Sequence, residues 1–112
     1  MIPKNLSATD DEDFVDVGSI HQIPKSTPLF VSVGNTDVIL CRRGEEIVAH
    51  SGQCTHNFAR LSEGMIEGRV VICPRHGARF DYTTGQSLSS LCPDLPKIET
   101  RIHRQRVLVR RG

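Results

Sequence analysis

Two short segments, Cys54-Thr55-His56 and Cys73-Pro74-Arg75-His76, constrain this chain more than any other part of it. Sixteen residues lie between them, so the pattern is C-x-H followed at a distance by C-x-x-H. Each segment puts a thiolate and an imidazole close enough along the backbone for one curled loop to aim both at one centre. Neither loop has enough donors alone, so two loops must close on whatever they hold. Gly52 ahead of the first segment, and Pro74 and Gly77 in and after the second, are residues that tight turns favour. A Cys₂His₂ set also suits tetrahedral zinc, but zinc modules usually pair Cys with Cys and His with His. Half-sites that mix the two fit a binuclear [2Fe–2S] cluster, with cysteines on one iron and histidines on the other. Cys54, His56, Cys73 and His76 are thus the candidate metal and cofactor ligands.

The stretch from Gly52 to Gly85 resembles the cluster-binding region of Rieske proteins, and its two boxes are similar to those of soluble Rieske ferredoxins. The flanks fit as well: Leu61-Ser62-Glu63-Gly64, then Gly68-Arg69-Val70-Val71-Ile72-Cys73, then Phe80-Asp81. The resemblance implies an all-β Rieske fold, an antiparallel sandwich or barrel-like base with a small inserted lobe. At 112 residues the chain is one domain long. The lobe is expected at about residues 52–95, after a flexible tail over residues 1–12. The resemblance also implies that the loop Leu91-Cys92-Pro93-Asp94-Leu95-Pro96 covers the cluster, stiffened by its two prolines.

Departures within the boxes sort the subfamilies. High-potential Rieske proteins carry one extra cysteine in each loop, joined as a disulfide; here Ala59 and Arg75 stand near those places. They also carry a serine and a tyrosine whose hydroxyls donate to the cluster sulfurs, where this chain has Ala78 and Phe80. A donated hydrogen bond stabilises the extra negative charge of the reduced state, so its loss favours the oxidised form. The expectation is a potential near the low end of the Rieske range, about −150 mV. Arg75 and Arg79 oppose this, but less if they face solvent.

The rest of the chain reads as β structure. Phe14–Val17, Pro28–Val33, Thr36–Arg42 and Glu45–His50 are strand candidates, with Gly34-Asn35 a hairpin turn between the second and third. Val70–Cys73 and Ala78–Tyr82 border the second box, and Ile98–His103 and Arg106–Arg110 close the chain. Asn57–Glu63 is expected to make one helical turn. Cys41 and Cys92 read as small apolar residues rather than a disulfide. His21, His50 and His103 read as ordinary surface or edge residues, although His50 lies near enough to Cys54 to approach the lobe.

Net charge is +1, but residues 1–50 hold four basic and eight acidic side chains, and residues 51–112 hold ten and five. The C-terminal arginines lie on a strand pattern without aromatic interleaving, which argues against nucleic-acid binding. No secretory or membrane-spanning apolar run is visible, so the expected setting is the cytoplasm. The chain has no room for the mononuclear iron domain of an oxygenase, so it is expected not to be an enzyme. The resemblance implies a monomeric one-electron carrier. It would take electrons from a flavin-containing NAD(P)H-dependent ferredoxin reductase and pass them to the Rieske centre of a terminal aromatic-ring oxygenase. Docking is expected through the His56/His76 tip, around Asn57, Phe58, Arg75, Gly77, Pro93 and Leu95. The second reading is the small Rieske-like subunit of an assimilatory nitrite reductase.

Overall fold

The computed structural model describes residues 13–55, 58–90 and 92–111. The expected tail over residues 1–12, together with His56, Asn57 and Leu91, lies outside the described residues. Among the described residues ten strands form three antiparallel sheets. β1 (Phe14–Ser19), β10 (Arg106–Arg110) and β9 (Thr100–His103) make one, in the order β1-β10-β9. β2 (Leu29–Val33), β3 (Thr36–Arg43), β4 (Glu46–Ser51) and the two-residue β8 (Lys97–Ile98) make the second, in that order. β5 (Met65–Glu67), β6 (Val70–Ile72) and β7 (Arg79–Asp81) make the third, within the segment expected to form the lobe.

β3 explains how these parts are joined. Its apolar run Val38-Ile39-Leu40-Cys41 is buried on both faces, as the unbroken pattern requires. Side chains alternate across a strand, so Val38 and Leu40 point one way and Ile39 and Cys41 the other. Val38 and Leu40 join Ile20, Ile23, Val33, Ile47, Ala49, Val107 and Val109 in the core between the two base sheets. Ile39 and Cys41 join Leu61, Val71, Phe80, Tyr82 and Leu95 in a second core under the lobe. At the end of the strand Arg42 is buried, its guanidinium donating to the carbonyls of Ile20 (3.1 Å) and Gly44 (2.9 Å).

The expected strands form, with three differences. β5 is an added strand: three exposed residues with no apolar alternation, paired to β6 as Met65↔Ile72 through Glu67↔Val70. The expected strand Ile98–His103 breaks at Glu99, because Ile98 pairs with Ala49 in one base sheet while Thr100 pairs with Val109 in the other. Of the turn expected over Asn57–Glu63, the described residues form a 3₁₀ turn at Leu61–Glu63.

Candidate metal centre

The two boxes fold into loops with the same backbone bonding. In the first, the Cys54 N–H donates to the Ala59 carbonyl (2.9 Å) and the Phe58 N–H donates back to the Cys54 carbonyl (2.8 Å). In the second, the Cys73 N–H donates to the Ala78 carbonyl (2.8 Å) and the Gly77 N–H to the Cys73 carbonyl (3.2 Å). Each cysteine thus opens a closed turn whose fifth residue has positive φ, +61° at Phe58 and +73° at Gly77. Gly77 takes that conformation without steric cost; Phe58 does not.

The stems hold the loops in place. β6 and β7 pair up to Ile72↔Arg79 and deliver the second loop. The first is fixed to the base sheet: Gly52 donates to the Asp37 carbonyl (2.7 Å), and the Arg60 guanidinium grips the Asp37 carboxylate at 2.9 and 3.1 Å. Asp37 in turn holds the Arg60 guanidinium charged, raising its pKa through the hydrogen bond and the paired charge.

Cys54 and Cys73 are buried in one apolar cluster with Leu61, Val71, Ala78, Phe80 and Leu95. His76 lies in the exposed outer part of the second loop, and His56 falls outside the described residues. Among the described residues no three His, Cys, Asp or Glu side chains converge on one point. Two buried soft sulfurs at the roots of twin loops, with one imidazole at the surface, fit a [2Fe–2S] group held sulfur-side in and histidine-side out. Ala78 and Phe80 present only apolar side chains to this region.

The proline loop reaches the first box. The Thr55 hydroxyl donates to the Pro93 carbonyl at 2.7 Å, and Leu95 is buried beside the two cysteines. Leu95 is therefore part of the core rather than of the docking surface expected for it, whereas Phe58, Arg75, Gly77 and Pro93 are exposed. Thr55 was not singled out in the sequence, because a threonine between two candidate ligands carries no local signal.

His50 corrects a second expectation. It pairs with Ile39, shares that residue's lobe-facing side of the sheet, and is only 3% exposed. A Cβ at Gly85 would stand 2.5 Å from its ring, and its Nδ1 has no hydrogen-bond partner among the described residues. Burial pushes its pKa down, Lys97 adds to this, and a backbone hydrogen bond with Thr84 and the charge of Asp81 oppose it. His21 and His103 are exposed, as expected. None of the four cysteines forms a disulfide; Cys41 lies in the lobe core and Cys92 packs against it. Burial raises the Cys41 pKa, so the thiol stays protonated.

The fold and the paired loops define an iron–sulfur domain of the Rieske kind, and the comparisons with known proteins agree. The family model for the Rieske [2Fe-2S] domain matches residues 13–100. The ferredoxin component of the naphthalene 1,2-dioxygenase system of Pseudomonas aeruginosa is 34% identical over 99 residues, covering 88% of this chain and 95% of that protein. The ferredoxin of carbazole 1,9a-dioxygenase from Nocardioides aromaticivorans IC177 superposes with a TM-score of 0.72 at 25% identity, over 88% of this chain and 98% of that one. A ferredoxin solved in complex with the reduced oxygenase of carbazole 1,9a-dioxygenase gives 0.71 at 32% identity, over 88% and 93%.

The chain belongs to the Rieske [2Fe–2S] family and, within it, to the ferredoxin components of dioxygenase systems. It is an electron-transfer protein rather than a catalytic subunit, and its cofactor is one Rieske-type cluster. Nothing in these relatives favours the nitrite reductase reading.

Proposed function

We propose that this protein carries single electrons from a flavin-containing NAD(P)H-dependent ferredoxin reductase to the Rieske centre of a terminal aromatic-ring oxygenase. The observation that carries the reading is the pair of twin loops, each rooted in a buried cysteine, with His76 exposed in the second. Cys54 and Cys73 are the proposed ligands of the inner iron and His56 and His76 those of the outer one. The bound cluster supplies a one-electron couple. The chain does the rest: the closed turns fix the loop backbones, the core under the lobe anchors both cysteines, and the Thr55–Pro93 bond holds the proline loop against the first box. A rigid surround lowers the cost of reorganisation when charge arrives.

The proposed domain is the single unit 1–112, with residues 52–95 as the cluster lobe. Contact with partners is proposed to be transient and made by a monomer through the tip, as small redox interfaces allow. A cytoplasmic setting is proposed, supported by four cysteines outside any disulfide. Among the described residues no helix is long and apolar enough to cross a membrane.

Reconstitution tests the reading. The reductase and terminal oxygenase of a naphthalene 1,2-dioxygenase system, mixed with NADH and naphthalene, should form dihydrodiol only when this protein is added. Product formation that is indifferent to it, or a stable complex with a sirohaem protein, would overturn the assignment.

A further inference from the structure

The two cluster loops share one backbone design and differ at its most demanding position. The fifth residue of each closed turn has positive φ; in the second loop it is Gly77, and in the first it is Phe58. An aromatic residue in the left-handed region is strained; such outliers persist only where the surrounding backbone holds them, and they cluster at functional sites. Core packing does not retain this one. The Phe58 side chain is 70% exposed, the most exposed large apolar residue described. The other described non-glycine residues at positive φ, Arg104 and Gln105, form the polar hairpin turn between β9 and β10.

The surroundings say what the ring is for. Phe58 and Gly77 hold the same position in twin loops whose cysteines share one apolar cluster, and the Thr55–Pro93 bond ties Pro93 to the first loop; all three residues are exposed, and Gly77 and Pro93 are compact, so a partner can come close. Arg75, in the second loop two residues before Gly77, is exposed too, with no carboxylate in ion-pair range among the described residues. Aromatic and arginine side chains are the types that carry most binding energy when a partner covers them.

We propose that Phe58 is the apolar anchor by which this protein docks its terminal oxygenase, seating the ring in an apolar socket with an acidic rim opposite Arg75. The inference rests on the electron-transfer reading above and names the residue that gives that encounter its fit. The strain and the exposure are the structural cost of keeping a large ring where glycine would fold more easily.

The experiment compares cluster-loaded wild type, Phe58→Gly and Phe58→Tyr. Stopped-flow measures transfer from the reduced protein to the terminal oxygenase of a naphthalene 1,2-dioxygenase system, with ferricyanide as a small oxidant control. Phe58→Gly should slow transfer to the oxygenase about tenfold, with the ferricyanide rate and potential unchanged and the thermal midpoint equal or higher. Phe58→Tyr should stay within about twofold of wild type, since it keeps the ring. A Phe58→Gly protein as fast as wild type overturns the proposal. So does a lowered midpoint, which would mean that the ring serves packing, or a loss confined to reduction by the flavoprotein. If the wild type itself delivers electrons to no oxygenase, the reading under Proposed function fails and takes the anchor with it. A failure of the anchor alone leaves wild-type transfer intact.

Discussion

At the scale of single residues, the cluster surround is set by what Ala78 and Phe80 lack. Both are buried beside the two cysteines, and neither can donate a hydrogen bond. A bond to a charged acceptor is worth about 1.5–3 kcal/mol. About 59 mV corresponds to roughly 1.4 kcal/mol for one electron. Phe80→Tyr, if its hydroxyl reaches a cluster sulfur, should therefore raise the potential by about 60–130 mV. A redox titration of wild type and variant checks this, and an unchanged potential would remove Phe80 from the explanation. His50 yields a prediction of a different kind. Its folded pKa lies below the ordinary value of 6.5, so below that pH the unfolded chain takes a proton that the native ring resists. Native stability should be complete above about pH 6.5 and fall as the pH drops further. His50→Phe should flatten that slope in denaturant titrations between about pH 5.5 and 7.5; a slope identical to wild type would mean that another group carries it.

At the scale of elements, the structure turns on the joint between β4 and the turn after β7. Gly85 has φ +82° and sits against the His50 ring, and its carbonyl accepts from the Leu95 N–H at 2.7 Å. Base sheet, lobe and proline loop meet there. Gly85→Ala would bring a Cβ to 2.5 Å from the ring and 3.0 Å from the Leu95 carbonyl oxygen, in a conformation that disfavours it. The expected cost is about 2–4 kcal/mol, combining backbone strain with overpacking. A thermal midpoint lowered by about 10 °C or more would register it. In a double mutant with His50→Ala the packing part should be recovered and the backbone part should remain; full recovery would refute the strain component. This joint was not legible in the sequence. A lone histidine four residues before Cys54 and a glycine closing a turn look ordinary, and only the register Ile39↔His50 puts the ring on the lobe side. Strands with an apolar run or a Gly-Asn turn were legible, because alternation and turn chemistry are local. β5 was not, because three exposed residues become a strand only through β6. The break at Glu99 was hidden as well, since it depends on which sheet each half of the segment joins.

At the scale of the whole molecule, part of the uneven charge along the chain is paired off by the fold. The acidic N-terminal half and the arginine-rich C-terminus are brought together because β1 pairs with β10. Arg106 then binds Asp16 at 3.0 Å, and Arg110 reaches Glu99 and Asp13 at 3.3 and 3.8 Å. The hydrogen bond from Arg106 is the main cause holding the Asp16 carboxyl below its ordinary pKa. Such exposed pairs contribute little to stability, but they give Arg106 and Arg110 acidic neighbours.

The two cores divide the molecule more deeply than charge does. One lies wholly between the base sheets and contains neither candidate cysteine; the other contains both, packed with Ile39, Leu61, Val71, Phe80, Tyr82 and Leu95. Metal ligation contributes folding energy to the part of a protein that it ties together. Local opening follows local stability, so removing the cluster should loosen the lobe while the base stays closed. Hydrogen exchange on cluster-free protein, prepared by chelation under reducing conditions, should show amides of β5, β6 and β7 losing protection by more than about tenfold. Amides of β1, β3 and β10 should keep theirs to within about threefold. β3 is the informative strand, because Ile39 and Cys41 face the loosened lobe while Val38 and Leu40 stay in the base core. Its ladder to β2 and β4 is independent of the lobe, so its amides should follow the base. Uniform loss across all three sheets would show instead that the cluster holds the entire chain together, and that the two cores fold as one cooperative unit.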